Sequence, residues 1–221
     1  IITAVKTRRE TIVLTDTSVH SMQFIGPPFT FGINQLASAI TVRGFNSAVA
    51  VGDSVFWMGY DRFYIYDGRV QVIPCSVRDH VFQNFNETQY DKVFAGVNSA
   101  FGEVFWFYPS ETNSGANGGT DENDKYVVYN YDQKIWYVGS LARTSWIDRG
   151  VYQYPMATDS NLVYSHEKGN DNDGTSMLSF IESSPIDIQD GDQFVFIRRM
   201  IPDISFDNSD VDASDGQKGV F

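Results

Sequence analysis

The sequence has a single cysteine, Cys75, in 221 residues. One cysteine can form neither an internal disulfide nor a cysteine-rich zinc site, so the fold must depend on its apolar core. Long apolar runs are also lacking, since none approaches the roughly 20 residues of a membrane-spanning helix. The N-terminal IITAVKTRRE does not have the layout of a signal peptide, and we expect no membrane anchor. Because the chain opens on Ile1 instead of Met, we expect a processed product or part of a longer protein.

Basic residues are scarce as well. The 16 lysines and arginines stand against 28 aspartates and glutamates, which gives a formal net charge of -12. A nucleic-acid binder needs a basic footprint that displaces counterions, so the charge argues against that class. It argues equally against docking on anionic membranes. What the chain does have is apolar material, 42% hydrophobic and 15% aromatic residues, which predicts a folded globular protein.

The stretch GDSVFWMGYDRFYIYDGRV (52–70) carries six aromatic side chains between two turn signals, Gly52-Asp53 and Asp67-Gly68. Such glycine-containing connectors between apolar runs are typical of β-hairpins. Residues 48–74 therefore divide into four short strands: AVAV (48–51), SVFWMG (54–59), RFYIY (62–66) and RVQVIP (69–74). A four-stranded antiparallel meander of this length has the size of one propeller blade.

The same four-piece pattern recurs along the chain. A later copy contains residues 93–97, 102–109, 125–131 and 134–139. An N-terminal copy contains residues 2–5, 11–15 and 18–24, with AITV (39–42) as the candidate fourth strand. A last copy contains residues 154–158, 162–167, 176–182 and 184–188. The predicted second strands begin near Ile12, Val55, Val104 and Leu162, close to the ~40–50-residue period of propeller blades.

The sequence therefore predicts an all-β, β-propeller-like fold of about four recognisable four-stranded antiparallel blades with very little helix. We assign residues 1–206 to this domain and residues 207–221 to a polar C-terminal tail or linker. One short helix is predicted within residues 76–85, with Ser76 as its N-cap, and a further turn at Asn86. Seven aromatic residues are predicted to pack between blades: Trp57, Phe63, Tyr64, Tyr66, Phe105, Trp106 and Trp136. The alternative is that they form a stacking platform for sugars or bases.

Metal-binding patterns are incomplete. Residues 170–174 and the acidic run near the C-terminus both lack the first carboxylate of an EF-hand loop. That run contains Asp207, Asp210, Asp212 and Asp215. We expect solvated turns at both places, and neither a metal nor a cofactor.

Catalytic patterns are incomplete too. The three histidines, His20, His80 and His166, belong to no nucleophile motif, and Cys75 behind a proline is expected to be an inert thiol. Three carboxylates are candidates for the catalytic groups of a propeller glycosidase, but each lies at a turn or at the start of a strand, where an acidic residue is common. They are Asp61, Asp67 and Glu103. We expect no enzyme activity and name no catalytic residue.

The loop 110–124, SETNSGANGGTDEND, has Ala116 as its only apolar residue and is predicted to be exposed and mobile. It is the predicted interaction site. Its acidic residues suit a basic patch on a partner or the edge of a DNA channel. They are Glu111, Asp121, Glu122 and Asp124. The alternative is a surface insertion without a partner.

Several long phrases, in this order, resemble the propeller portion of the tail nozzle proteins of short-tailed bacteriophages, also called tail tubular or stabilisation proteins. The phrases are TDTSVHSMQFIGPPFTFGINQLAS (15–38), VFWMGYDRFYIYDGRVQVIPCSVRDHVF (55–82), GEVFWFYPS (102–110), DKYVVYNYDQKIWYVGSLARTSWID (124–148) and IPDI (201–204). The resemblance covers residues 10–205. The family departs from this chain in length, because its members are usually several times longer and carry a platform that builds a ring.

The resemblance implies a structural virion protein, made in the host bacterial cytoplasm and located in the tail. It implies a homo-oligomeric ring of six copies that contacts the head–tail adaptor and tail fibre or accessory proteins. DNA would pass through the ring only as cargo, and carboxylates at the lumen would repel its phosphates. The alternative function is a carbohydrate-binding or hydrolysing propeller, such as a receptor-binding module. An enzyme of that kind should show carboxylates converging at the central opening.

Overall fold

A computed structural model of the chain describes residues 1–111, 120–159, 161–169, 171–172, 174–176, 196 and 198–199. Blade one contains β1 (Thr3–Lys6), β2 (Thr11–Leu14), β3 (Ser18–Phe24) and β4 (Phe31–Ser38). Blade two contains β5 (Ala48–Val51), β6 (Ser54–Met58), β7 (Phe63–Tyr66) and β8 (Val70–Ile73). Blade three contains β9 (Phe94–Asn98), β10 (Glu103–Tyr108), β11 (Lys125–Asn130) and β12 (Ile135–Ser140). Blade four contains β13 (Ser145–Ile147), β14 (Met156–Asp159) and β15 (Leu162–Ser165).

Every blade is an antiparallel meander in which each strand pairs with its neighbour in sequence. The predicted all-β, blade-like fold is therefore confirmed. Strands form where β-branched and aromatic residues concentrate, and glycine permits the tight turns between them. Gly52 and Gly68 have φ angles of 63° and 108°, a conformation that glycine adopts without strain. Both predicted connectors of blade two accordingly join paired strands.

Helical structure is confined to the connection between blades two and three in the described part of the chain. It consists of α1 (Arg78–Gln83) and a 3₁₀-helix (Glu87–Lys92). The predicted turn at Asn86 is confirmed, because its side-chain oxygen caps the 3₁₀-helix by accepting the Thr88 N–H at 3.0 Å. The predicted cap at Ser76 is wrong. The N-cap of α1 is Val77, and no side chain caps this helix.

The core lies between successive blades, in three clusters. Blades one and two enclose Ile12, Val19, Trp57 and Tyr64, among others. Blades two and three enclose Met58, Phe63, Trp106 and Val127, among others. Blades three and four enclose Phe105 and Phe107, against which Trp146 packs. Of the seven aromatic residues predicted to be core, six are buried, and Trp136 is half-buried at the edge of the second cluster.

All four tryptophans of the chain donate their indole N–H to a backbone carbonyl. Trp57 donates to Thr41 at 3.2 Å, in the connection that precedes blade two. Trp106 and Trp136 of blade three donate to Ser47 and Pro74 at 3.0 and 2.8 Å. Trp146 of blade four donates to Val97 of β9 at 2.9 Å. These bonds satisfy the one polar group of each indole while its ring packs between blades.

Two predicted strands are corrected. The fourth strand of blade one is β4, not AITV (39–42), because Ala39 has a φ of 58° that ends the extended backbone. Ile40 and Val42 still pack against the core, which accounts for their apolar character. Blade four begins earlier than predicted, at β13, and Leu162 opens its third strand instead of its second. Trp146 fixes β13 against blade three, as described above.

By its internal contacts the chain divides into two compact units, residues 1–169 and residues 170–221. The first unit contains blades one to four. In the second, β16 (Asp171–Asn172) pairs with β17 (Thr175–Ser176), and Gly174 between them has a φ of 80°. The boundary predicted at residue 206, the strand at 184–188 and nearly all of the strand at 176–182 lie outside the described residues, as does the acidic run at 207–215.

Candidate functional site

The first strands of the four blades lie side by side. β1 contacts β5, β5 contacts β9, and β9 contacts β13. An open cavity of about 550 Å³ follows these strands, and all four contribute to its wall. Small side chains such as Ala4, Ala48 and Ala95 line much of it, because the strands converge here.

The wall of this cavity mixes apolar and polar side chains and carries no carboxylate among the described residues. Its polar groups come from Thr3, Asn46, Thr144 and Ser145, and its one charged group is Lys6. A glycosidase would need two carboxyl groups at a set separation. The described wall does not offer that pair. Nor does it show the carboxylates that the resemblance led us to expect at a lumen.

The base of the loop 110–124 is tightly bonded. Asp124 accepts hydrogen bonds from the Ser110 N–H at 2.8 Å and from the Ser110 hydroxyl at 2.7 Å. Thr120 donates to the same carboxylate at 3.0 Å, and Asn123 donates to the carbonyl of Lys92 at 2.8 Å. Ser110 and Asn123 are buried. The prediction that the whole loop is exposed is therefore wrong at its ends, and residues 112–119 lie outside the described residues.

The four predicted interaction residues have different environments. Glu111 and Asp121 are exposed, while Glu122, also exposed, forms an ion pair with Lys92 at 2.7 Å. Lys92 also donates to the backbone carbonyl of Asp121. Asp124 is half-buried and occupied by the hydrogen bonds of the loop base. The structure thus places three of these carboxylates at the surface and gives the fourth a bonding role within the fold.

Glu103 is a carboxyl group whose surroundings raise its pKa. It accepts a hydrogen bond from the Tyr137 hydroxyl, and the amide of buried Asn98 lies 3.5 Å from its other oxygen. The same amide is 3.3 Å from Glu167. Burial raises the pKa of Glu103, the Tyr137 hydrogen bond opposes this, and the negative charge of Glu167 adds to the rise. A raised carboxyl pKa suits a general acid, but both oxygens here are already engaged by protein groups.

The two other candidate carboxylates are separate from Glu103. Asp61 precedes β7 and Asp67 follows it, so they lie at opposite ends of the strand. The hydrogen bond from Arg62 lowers the pKa of Asp61, and the charges of Arg62 and Arg78 lower it further. Asp67 accepts a hydrogen bond from Gln71 at 3.0 Å. The described contacts therefore do not bring these three candidate carboxylates together; the acidic neighbour of Glu103 is Glu167, which shares the Asn98 amide with it.

Cys75 and His166 are two reactive side chains that the structure half-buries. Burial raises the pKa of the Cys75 thiol to about 11, which leaves little thiolate at neutral pH. His166 follows β15 and accepts a hydrogen bond from the Arg143 guanidinium at 2.9 Å. Burial and the positive charge of Arg143 lower the pKa of His166 to about 4. Both groups are held in their neutral forms, and no other reactive side chain is bonded to either in the described structure.

Two features were missed by the sequence reasoning. Arg43 is a buried cation that pairs with Glu87, donates to the Tyr60 carbonyl at 2.6 Å and lies 4.2 Å above the ring of Phe85. Nothing in its sequence surroundings distinguishes it. The second feature is an exposed apolar hairpin end between β3 and β4, residues 24–33, which we call the apolar tip. The sequence did contain a signal for the apolar tip, since no Asp, Glu, Lys or Arg occurs between Asp16 and Arg43.

Comparison with known proteins gives no assignment: neither a protein-family model nor a curated protein matches the chain. Among the described residues, no helix has the length and apolar character required to cross a bilayer.

Proposed function

We propose that this protein is a structural subunit of a bacteriophage tail, part of the nozzle or tube through which the genome leaves the virion. The observation that carries the proposal is the row of four blades whose first strands line one cavity; the described part of its wall has no carboxylate, which disfavours a hydrolase but also departs from the acidic lumen that the resemblance implies. Such a wall suits a scaffold better than a hydrolase. The phrases that resemble tail nozzle proteins lie mostly within these four blades.

The position of the aromatic side chains also supports a structural role. Trp57, Phe63 and Trp106 have no exposed surface, since neighbouring blades cover both faces of their strands. A sugar-binding platform needs aromatic faces that are open to solvent. Packing between blades occupies these rings, so they stabilise the fold instead of binding a ligand. We accordingly propose no catalytic residue, metal or cofactor.

In this proposal the chain acts as a homo-oligomer in the virion tail, next to the head–tail adaptor and to fibre or accessory proteins. Glu111, Asp121 and Glu122 are exposed at the base of the 110–124 loop and would face a basic patch on such a partner. Asp124 is excluded from that role by its hydrogen bonds to Ser110 and Thr120.

Immunogold labelling of virions tests the proposal. Antibodies raised against the purified chain should label the distal tail of short-tailed particles from the source culture. Labelling that is absent from particles, together with release of reducing sugar from a glycan panel, would overturn it in favour of the carbohydrate-active alternative.

The surface carboxylates provide a second test within the same particles. The triple variant E111Q/D121N/E122Q should fold normally and be incorporated less into particles. The matched variant Asp124→Asn should instead lower the free energy of unfolding. If the triple variant is incorporated as fully as the wild type, the base of the loop does not contact the partner.

A further inference from the structure

The apolar tip projects beyond the rest of blade one. Thr11, at the start of β2, pairs with Met22, so the two strands that continue past this position have no β2 beside them. Phe24 pairs with Phe31 there, and the hairpin closes through the Ile25 N–H, which donates to the Thr30 carbonyl at 3.2 Å. The projecting segment is thus a narrow two-stranded ribbon and not part of a broad sheet face.

Large apolar side chains of the tip are open to solvent. They are Phe24, Ile25, Phe29, Phe31 and Ile33, each between 57% and 71% exposed. Soluble proteins rarely leave so many neighbouring apolar groups uncovered, and such a patch marks an interaction site. No Asp, Glu, Lys or Arg occurs in residues 17–42, although such residues make up 20% of the chain.

Apolar groups lie on both sides of this ribbon. Phe24 and Phe31 are opposite each other across the strands and so share one face, with their rings edge to face at 6.1 Å. Ile25 packs on the other face, where its Cγ2 atom is 3.1 Å from the position that a β-carbon of Gly32 would occupy. A flat protein partner covers one side of a ribbon, whereas a hydrocarbon phase surrounds both.

The backbone of the tip is suited to the interface of a bilayer and not to its hydrocarbon core. The N–H and C=O groups that point between the two strands are paired with each other, whereas those on the outer edges of the ribbon need water or headgroups, because unpaired groups are costly in hydrocarbon. Pro27 and Pro28 in the turn have no N–H to satisfy. Protein interfaces, by contrast, usually carry about one hydrogen bond per 100–200 Å² and are enriched in Arg, which this tip does not contain.

The charges beside the base of the tip balance one another. Gln23, at the base, donates to Glu10 at 3.0 Å, and the turn between β1 and β2 also holds Arg8 and Arg9. Arg9 pairs with Asp53 at 3.5 Å. These two arginines offset the two carboxylates, so the negative charge of the chain is not concentrated here.

From these observations we propose that the apolar tip inserts into the interface of a zwitterionic phospholipid bilayer. Phe24, Phe29 and Phe31 enter the boundary between headgroups and acyl chains, where aromatic side chains are favoured. Arg8, Arg9 and Glu10 remain at the level of the headgroups. This inference does not depend on the proposed tail function, because it rests on the hairpin alone.

Flotation of the full chain with phosphatidylcholine vesicles tests the inference. The wild-type protein should float with the vesicles, and Phe29→Asp should lower the partition coefficient by at least about tenfold, since it puts a charge where the bilayer would otherwise cover an exposed ring. The matched control is Phe101→Asp, because Phe101 is also an exposed phenylalanine in a hairpin turn, between β9 and β10. It should bind vesicles as the wild type does. Thermal unfolding of both variants verifies that they fold.

Four results would overturn the inference. The wild-type chain could fail to float. Phe101→Asp could lose as much binding as Phe29→Asp, which would make the binding non-specific. Sedimentation velocity could show an oligomer that Phe29→Asp converts to a monomer, without vesicle binding by either form, and the tip would then be covered by a second copy. Addition of phosphatidylglycerol to the vesicles should not raise binding, whereas a requirement for it would indicate binding through Arg8 and Arg9 instead.

Discussion

The β6–β7 hairpin and the β3–β4 hairpin are both aromatic, yet the first buries its rings and the second exposes them. Phe56, Trp57 and Phe63 are buried, whereas Phe24 and Phe31 are largely exposed. The strands are paired up to the turn in both hairpins, and the one register shift, between Val19 and His20 of β3, lies away from the exposed end. The difference is that blades one and three cover the two faces of β6–β7, while the end of β3–β4 extends past its neighbours. Burial in this protein is therefore decided by the adjacent blade and not by strand pairing.

The largest expected effect is a loss of stability when a ring buried between blades is removed. Trp106→Ala should lower the free energy of unfolding by about 3–5 kcal/mol, because the ring is fully buried, contacts Phe63 at 4.9 Å between centroids and donates to the Ser47 carbonyl. Urea unfolding at neutral pH measures this. The control Phe101→Ala, at an exposed position, should change stability by no more than about 0.5 kcal/mol. Equal losses in the two variants would contradict the importance of packing between blades.

Gly96→Ala tests whether the interface between blades three and four is packed as closely as the one between blades two and three. A β-carbon on Gly96 would lie 2.7 Å from Cδ1 and 2.8 Å from Cγ of Trp146. The indole is fixed by its bond to Val97 and by stacking on Phe105, so the clash should cost about 1–3 kcal/mol. At Gly150 nothing lies within 4 Å of such a carbon, and Gly150→Ala should be nearly neutral in the same denaturation assay. An unchanged free energy of unfolding in Gly96→Ala would show that Trp146 can move aside at little cost.

A smaller, pH-dependent effect is expected at His166, which packs on Trp146 at the same interface. Its pKa is about 4 in the folded protein and near 6.5 in the unfolded chain, so the unfolded state alone takes up a proton between these values. Stability should therefore be fully present above pH 6.5 and fall as the pH drops toward 4. Because the ring is partly exposed, we discount the effect to about 1–2 kcal/mol.

His166→Gln isolates that proton. Glutamine can still accept from Arg143 but does not titrate, so the difference in unfolding free energy between pH 7.5 and pH 4.5 should be smaller in the variant. A variant that keeps the whole pH dependence of the wild type would locate the proton uptake at another group.

The smallest expected loss of stability follows from removal of an exposed ring of the apolar tip. Phe31→Ala removes only an edge-to-face contact with Phe24 across the hairpin, and such cross-strand pairs contribute about 0.2–1 kcal/mol. Its midpoint in urea should shift by a fraction of the shift seen for Trp106→Ala. A loss of several kcal/mol would mean that the tip packs against another part of the protein.

The strands of blades two and three were predictable because their apolar runs are short, aromatic and separated by turn residues. β4 was not, since FGINQLAS contains a glycine and polar residues and becomes a strand through pairing with β3. AITV is apolar for another reason, as Ile40 and Val42 contribute to the core from an unpaired segment. Pattern alone cannot distinguish a buried connection from a buried strand.

Polar residues were misjudged for a related reason. The sequence DEND at 121–124 is typical of an exposed loop, yet Asn123 is buried and Asp124 bonds the loop base. A polar group can be buried wherever a partner satisfies it, and such partners come from distant residues such as Lys92 and Ser110. Tyr137, which donates to Glu103, and Glu87, which pairs with Arg43, are similarly remote in sequence. A single sequence carries no signal for these pairings.

The four tryptophan hydrogen bonds share one order along the sequence. In all four cases the accepting carbonyl precedes the indole in sequence, by 16 residues for Trp57, 59 for Trp106, 62 for Trp136 and 49 for Trp146. During synthesis, each acceptor therefore leaves the ribosome before the tryptophan that will bind it. A newly made blade finds its bonding partner already present, in an earlier connection or in the preceding blade, and the protein can assemble blade by blade from its N-terminal end as translation proceeds.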